Sequence, residues 1–407
     1  MSEIAIIVTI STGIVLLLSG IVLAARRWLA PNGVAELTVN GQHSYTVSRG
    51  DKLLAALANN DILLPAACGG RGSCGQCRVT VLSGGGQILA TERSLISRRE
   101  ASAGDRLACM VPIRDDLSIR VPDSLLEVRR LHMTVRSNTR ITMYLTEVVL
   151  EMPAGEKLDF EAGDYVVVEA PPGESRFADF SLPEAVSDEW QQGGLLALSV
   201  TRGATESRAY SLANPPYEEN IATLVVRIAT PPASAPPGAP PGKVSSFLFG
   251  LAAGDNVAMS GPFGEFHARP GDAEMVLIGG GAGIAPLRAI LLDQLVGKQT
   301  ERRISFWYGA RNSREICYAD EFDDLAARFP NFTWHAALSD RVEEPGWTGL
   351  RGFIHAVVRD EYLLQHQAPE DIEYYLCGPP LMSTAVVSML EDLGVDPASI
   401  RYDDFGS

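Results

Sequence analysis

The sequence predicts a multidomain chain: one N-terminal transmembrane helix, a small α+β domain, an antiparallel β-barrel and a C-terminal α/β domain. Three observations lead there. An uncharged apolar run opens the chain at residues 4–25, and four cysteines stand in and beyond a Gly-rich loop at 68–109. From Glu274 onward, short β segments give way to strands alternating with helices. A length of 407 residues suits about three globular domains. With 46% hydrophobic and 21% charged residues the composition is that of a folded protein. The formal charge of −16 argues against nucleic acid, which needs a basic face, and against docking to anionic lipid by charge alone.

The apolar run IAIIVTISTGIVLLLSGIVLAA is long enough for a hydrocarbon core roughly 30 Å thick. Glu3 precedes it, and Arg26 and Arg27 follow at once. A secretory signal usually begins with basic residues and has a shorter apolar core. The charge asymmetry puts the C-terminal side in the cytoplasm. The expectation is therefore a single-pass anchor within residues 1–30 and a cytoplasmic bulk, against the alternatives of a cleaved signal or a buried helix. Six cysteines, four of them in one motif, suit a reducing compartment.

Residues 33–50 alternate with period two about Gly41 and read as a hairpin. DKLLAALANNDI reads as an amphipathic helix, CRVTVLSG as a strand, and LACMVPIRDDLSIRVP as two more strands. Between helix and strand lies ACGGRGSCGQC, which places Cys68, Cys74 and Cys77 as C-x5-C-x2-C, with Cys109 about thirty residues on. Three thiolates on one loop and a distant fourth can cage a [2Fe–2S] cluster. A loop folding over a cluster needs positive φ and close backbone approach, the role of its glycines, so that amide N–H groups can reach the sulfurs. Zinc is the competing reading, although zinc ribbons favour two C-x2-C knuckles, and only one such pair is present. Disulfides are a further alternative. The order of elements over 31–128 resembles a plant-type ferredoxin, a family that usually spaces its first pair C-x4-C.

Over 129–272 the chain reads as short strands: LHMTVRSN, TMYLTEVVLEM, DYVVVEA, LLALSVT, TLVVRIAT and DNVAMSGP. Many strands with little helix predict an antiparallel barrel. A polar insertion at 171–194 and a Pro-rich loop at 231–242 interrupt it. Over 273–407, MVLIGG, RRISFWYGA, FTWHAALS and EYYLC alternate with helical segments, which predicts a doubly wound parallel sheet. GGGAGIAP, including Gly281, Gly283 and Pro286, joins the first of these strands to a helix. Glycines there let backbone approach a pyrophosphate, and the helix N-terminus favours its charge.

Arg208-Ala209-Tyr210-Ser211 in the barrel, read as lying just before a strand, G-x-G-x-x-P and the Cys377-Gly378-Pro379-Pro380 run together resemble the ferredoxin–NADP reductase superfamily. That resemblance implies FAD in the barrel and a nicotinamide nucleotide on the α/β domain. It implies that Arg208 holds the flavin pyrophosphate, that Tyr210 packs on the isoalloxazine and that Ser211 lies near the reactive flavin nitrogen. It further implies that Gly242, Val244, Ser245 and Ser246 form a second phosphate-binding turn, and that Cys377, Gly378 and Pro379 stand close to the nicotinamide. Taken singly, Arg208 could be a surface charge, Tyr210 a core residue and Cys377 an inert thiol. Glu315, after the second α/β strand, can accept from both ribose hydroxyls and would repel a 2′-phosphate. Arg311 and Arg314 beside it favour the phosphate, and the balance is read as NADH. In the ending YDDFGS, Phe405 matches an aromatic that covers the flavin face in such reductases, with Asp403 and Asp404 as relays or water-facing charges. A frayed tail is the alternative.

The order of anchor, ferredoxin, flavin barrel and nucleotide domain resembles, over the whole chain, the F subunits of the sodium-translocating NADH:quinone oxidoreductases. The resemblance implies an electron-input component in a bacterial inner membrane. Hydride would pass from NADH to FAD and single electrons through the cluster to integral membrane subunits, with quinone reduced elsewhere in the complex. A membrane-tethered reductase of an oxygenase system is the alternative, and a cluster-bearing redox sensor a third class.

Overall fold

The computed structural model describes residues 12–21, 33–126, 128–232, 235–236, 238–340 and 344–403. The expected anchor falls largely outside these residues. Its described part is helical and exposed over 12–21, and no described helix is long and apolar enough to cross a membrane. The chain forms two compact units, Met1–Leu64 with Gly75–Glu127, and Pro65–Cys74 with Val128–Ser407.

The first unit holds a five-stranded mixed sheet in the order His43–Ser48, Val34–Val39, Leu117–Arg120, Arg78–Ser83, Asp105–Leu107. Val34–Val39 pairs antiparallel with His43–Ser48 and parallel with Leu117–Arg120. Its alternation turns Ala35, Leu37 and Val39 inward, where they are buried. The helix Leu53–Ala58 buries Leu53, Ala56 and Leu57 on the same core. It is shorter than the 51–62 pattern suggested, because Asn59 caps it and Asp61 turns to φ 60°.

Glu92 and Arg106 form a buried ion pair in this unit, with side chains 0% and 6% exposed. Glu92 accepts from Arg106 Nε and Nη2 at 2.9 and 2.7 Å and from the Leu89 and Leu107 amides. Arg106 Nη1 donates to the Gly85 and Gly86 carbonyls. A buried pair so fully satisfied ties the 85–95 loop to the strand that leads into Cys109.

The second unit contains the barrel, an antiparallel sheet in the order Glu206–Ser211, Tyr165–Ala170, Asn256–Phe263, Arg129–Arg140, Leu145–Glu151, Ile221–Arg227. A bridge between Leu212 and Leu224 links its first and last members. The core is aliphatic, with a cap of Phe177, Phe180, Trp190 and Phe249. Two expectations are corrected here. The segment LLALSVT supplies no barrel strand: residues 195–197 form a 3-10 turn, and Ser199–Arg202 pairs with Gly173–Arg176 in a separate two-stranded sheet. The sixth strand is instead Glu206–Ser211, so the Arg208–Ser211 motif lies within a strand rather than ahead of one. The insertion at 171–194 also carries structure, since the helix Glu184–Gln192 buries Trp190 completely.

The α/β part is a six-stranded parallel sheet in the order Leu350–Arg351, Phe332–Leu338, Ile304–Ala310, Met275–Gly280, Glu373–Cys377, Ile400–Asp403. Every residue of Met275–Gly280 is buried, as a central parallel strand covered on both faces requires. From this strand the chain first builds outward on one side and later returns on the other. The topological switch point therefore lies between Met275–Gly280 and Glu373–Cys377, outside whose carboxyl ends ligands bind in such sheets.

Candidate functional site

The switch point is lined by backbone held unusually close. After Met275–Gly280 the chain makes a 3-10 turn, Gly281–Gly283, and enters the helix Ile284–Leu292. Gly281 has φ +57°. A Cβ at Gly283 would overlap the Cys377 carbonyl and lie 2.6 Å from the Gly378 amide, so only glycine lets the two turns meet. Pro286 sits in the first helical turn, where it needs no N–H partner. Cys377 ends its strand fully buried, Gly378 follows, and Pro379 caps the helix Pro380–Asp392.

Beside this crevice the barrel contributes a cavity of about 570 Å³, within the range of cofactor pockets. It is lined by Arg208, Tyr210 and Ser211, by Gly242 at the N-cap of the helix Lys243–Phe249 with Lys243, Val244 and Ser245 of that helix's first turn, and by Ala282 of the glycine turn and Ala285 of the helix after it. Gly242 is required there, since a Cβ would come 2.6 Å from the Ala229 Cβ and 2.7 Å from Ser245 Oγ. Ser246, expected with this group, lies behind it, fully buried with its hydroxyl donating to the Gly242 carbonyl at 2.6 Å. Half-buried Tyr210 packs on the barrel core, and burial pushes its phenol well above the usual range. Partial burial lowers the Arg208 guanidinium, with Arg71 adding like-charge repulsion. Lys243 pairs with Glu206.

The C-terminal strand Ile400–Asp403 adds a carboxylate. Asp403 lies in register with Cys377 and accepts a hydrogen bond from Ser211 Oγ at 2.8 Å. Asp404 and Phe405 lie outside the described residues. A narrower cleft is lined by Thr142, Tyr144, Arg227, Gly281, Arg311 and Glu315, among others. Arg311 and Glu315 form an ion pair there. Arg314, the other cation that could meet a 2′-phosphate, pairs with Glu189 instead.

In the cysteine loop, the Arg71 amide donates to Cys68 Sγ at 3.3 Å. A hydrogen bond from the Cys74 side chain, helped by the Cys74, Ser73 and Arg71 amides, brings the Cys68 thiol down to about 3 against its burial. Gly69, Gly70, Gly72 and Gly75 all have positive φ. A loop that already stabilises thiolate sulfur with peptide N–H groups suits an anionic iron–sulfur cluster. Cys68 and Cys74 belong to one unit; Cys77 and Cys109 belong to the other, both buried, with the Ala108 amide donating to the Cys77 carbonyl at 2.8 Å. Among the described residues, no three His, Cys, Asp or Glu side chains are gathered closely enough to hold a metal ion. Cys317 is a structural thiol, pushed up to about 11 by burial.

Two lining residues escaped the motif reading. Arg71 carried no signal because the pattern in its loop is one of cysteine and glycine. Arg227 looks like the polar end of an ordinary strand. Both reach the cavity only through folding.

Comparison with known proteins gives three domain matches: a 2Fe-2S iron-sulfur cluster binding domain over residues 37–114, an oxidoreductase FAD-binding domain over 175–268 and an oxidoreductase NAD-binding domain over 277–388. Among solved structures, the Amycolatopsis cytochrome P450 reductase GcoB is 28% identical with a TM-score of 0.64, covering 91% of this chain and 98% of its own. A ferredoxin reductase in carbazole 1,9a-dioxygenase is 25% identical with a TM-score of 0.61, covering 92% and 98%. Two curated relatives are named as the F subunit of a Na(+)-translocating NADH-quinone reductase. That of Methylococcus capsulatus is 48% identical over 100% of both chains, and that of Pseudomonas aeruginosa is 47% identical over 99% of both. At this identity over the full length, the chain belongs to the family of F subunits of the Na(+)-translocating NADH-quinone reductases.

Proposed function

We propose that the chain takes hydride from NADH and passes single electrons outward, as the electron-input subunit of a membrane NADH:quinone oxidoreductase that moves sodium. The observation that carries this reading is the convergence of the Arg208–Ser211 strand, the Gly242–Ser245 turn and the glycine turn of the nucleotide domain on one cavity. FAD, when bound, supplies the exchange between two-electron hydride and the single electrons that a [2Fe–2S] cluster accepts.

The residues divide the work. Arg208 and the turn at Gly242, Val244 and Ser245 hold the diphosphate, with Ser246 bracing that turn from behind. Tyr210 supplies a ring to stack on the flavin. Gly281, Gly283 and Pro286 shape the nucleotide turn, and Gly378 and Pro379 form the facing wall with Cys377 behind it. Ser211 presents its hydroxyl toward the reacting face, oriented by Asp403. Glu315 would accept from the ribose while Arg311 balances its charge, and Phe405, outside the described residues, would be the aromatic that shields the flavin-binding face. Cys68, Cys74, Cys77 and Cys109 are the cluster ligands. The working division is an anchor at 1–30, a ferredoxin domain at 31–128, a FAD domain at 129–272 and an NADH domain at 273–407.

The finer placement belongs to the same proposal: a single pass through the bacterial inner membrane, the bulk cytoplasmic, beside integral subunits that receive the electrons. The uncharged run at 4–25 supports it, as does the full-length match to relatives whose name includes sodium translocation and quinone reduction. Tethering raises the effective concentration of the donor at its acceptor without a large interface. The alternative, a reductase for an oxygenase, is supported by the likeness to two such reductases, though at lower identity.

The test is loss of flavin. Arg208→Leu and Tyr210→Ala each weaken FAD retention, the first through a charge-assisted contact and the second through a stacked ring. Full FAD occupancy in both variants overturns the assignment. A chain beginning at Ala35 oxidises NADH with ferricyanide yet fails to restore quinone reduction to membranes lacking the native chain. Complete restoration favours the oxygenase reading.

A further inference from the structure

We propose that Arg71, from the cysteine loop, is a second guanidinium on the FAD diphosphate beside Arg208, so that filling the flavin cavity and fixing the loop at Cys68 are linked. The inference rests on the reading of that cavity as the FAD site.

Pro65–Cys74 belongs to the same compact unit as the barrel, although the chain on either side of it does not. Its backbone presses on the Arg208 strand: a Cβ on Gly69 would overlap Arg208 Nη1 and lie 2.5 Å from the Ser207 carbonyl. With φ at +66°, Gly69 is doubly constrained to be glycine. Arg71, two residues on, has an exposed side chain that lines the cavity with Arg208.

The charge there is unbalanced. Arg71, Arg208, Arg227 and Lys243 line the cavity, and none of its described lining residues is acidic. The nearby carboxylate, Glu206, is engaged by Lys243. Among the described residues, Arg208 Nη1 donates to the Ser207 carbonyl, at 2.6 Å. Arg71 and Arg208 are close enough to repel one another and share one carboxylate, Glu206, which is already paired with Lys243; such a set gains from a dianion, and a diphosphate accepts from planar forks of this kind.

Arg71 is bifunctional. Its side chain lines the cavity while its peptide N–H donates to Cys68 Sγ. Holding the guanidinium on a diphosphate restricts the same residue's peptide, and so the N–H···S bond to a cluster ligand. Such bonds tune cluster electronics.

The test uses the full chain, stripped of FAD and retaining iron. FAD titration into Arg71→Gln gives an affinity lower by about tenfold, as expected for loss of one charged hydrogen bond. Its salt dependence is shallower than that of wild type. Arg71→Lys restores the salt dependence and only part of the affinity, and Arg114→Gln, an exposed arginine of the other unit, binds as wild type. In dithionite-reduced samples, adding FAD shifts the cluster EPR signal of wild type and leaves that of Arg71→Gln unchanged. Wild-type affinity and salt dependence in Arg71→Gln, or an FAD-induced EPR shift that survives in it, overturns the proposal. If Arg208→Leu loses FAD while Arg71→Gln does not, Arg71 alone is misassigned; if neither loses FAD, the reading of the cavity itself fails.

Discussion

Ser211 and Asp403 lie 192 residues apart in sequence, and the Ser211 hydroxyl donates to Asp403 Oδ2 at 2.8 Å. Ser211 ends a barrel strand, opposite Tyr165. Asp403 ends the last strand of the nucleotide sheet, opposite Cys377. One hydrogen bond thus joins the barrel to the α/β sheet beside the switch point. It also fixes the rotamer of a hydroxyl that would otherwise rotate freely. Asp403→Ala should lower the single-turnover rate of flavin reduction by NADH by about tenfold to a hundredfold, the range of a misplaced proton-handling group. FAD content should stay unchanged. A wild-type rate with intact FAD means that the bond is only structural.

Gly283 is packed against the Cys377–Gly378 peptide with no room for a methyl group. Gly283→Ala should cost about 1–3 kcal/mol by overpacking. It should also raise KM for NADH if, as proposed, this turn receives the nucleotide, because the turn must move. Thermal midpoint and steady-state kinetics check both, and an unchanged midpoint would show that the two turns separate easily.

Much of this site was legible because its chemistry sits in short runs. Glycines at a strand–helix junction, C-G-P-P at a strand end and three cysteines in eleven residues from 67 to 77 each signal themselves locally. The errors have a common physical cause. Glu206–Ser211 is half-buried along most of its length because one side faces a cavity, so it lacks the clean apolar alternation of a core strand. LLALSVT looks like a strand, yet Leu195, Leu196 and Leu198 pack, partly buried, against the barrel's core cluster without joining its sheet. The helix at 184–192 hides in a polar insertion because a single buried residue, Trp190, anchors it. The Ser211–Asp403 bond is legible in no local pattern, since only the completed fold brings those strands together.

Glu315 holds Arg311 in an ion pair at the edge of the nucleotide cleft. On the proposed assignment, Glu315→Ala would remove the acceptor for the ribose hydroxyls and release Arg311 from its ion pair toward a 2′-phosphate. The kcat/KM ratio of NADPH to NADH should rise by about tenfold or more, the value of a hydrogen bond to a charged group. Unchanged selectivity would place ribose recognition on other residues.

His267 bonds Asp164 Oδ1 at 2.7 Å and lies 3.3 Å from Glu161. The hydrogen bond to Asp164 raises its pKa, partly opposed by burial. A histidine raised on folding stabilises the fold below its unfolded value of about 6.5, and loses that contribution as pH climbs through the folded value. His267→Gln should therefore lower the melting temperature more at pH 5.5 than at pH 9. The difference should correspond to about 1 kcal/mol. An equal loss at both pH values would mean that the contact does not depend on the proton.

The most direct test of the central claim is rapid-freeze EPR of the purified full chain after mixing with NADH, in wild type and Cys74→Ser. Wild type should show flavin bleaching followed by the reduced-cluster signal. Cys74→Ser should bleach its flavin with NADH but give no cluster signal, whereas Cys317→Ser keeps both. A reduced [2Fe–2S] signal persisting in Cys74→Ser, or wild-type flavin that bleaches without any cluster reduction, would contradict it.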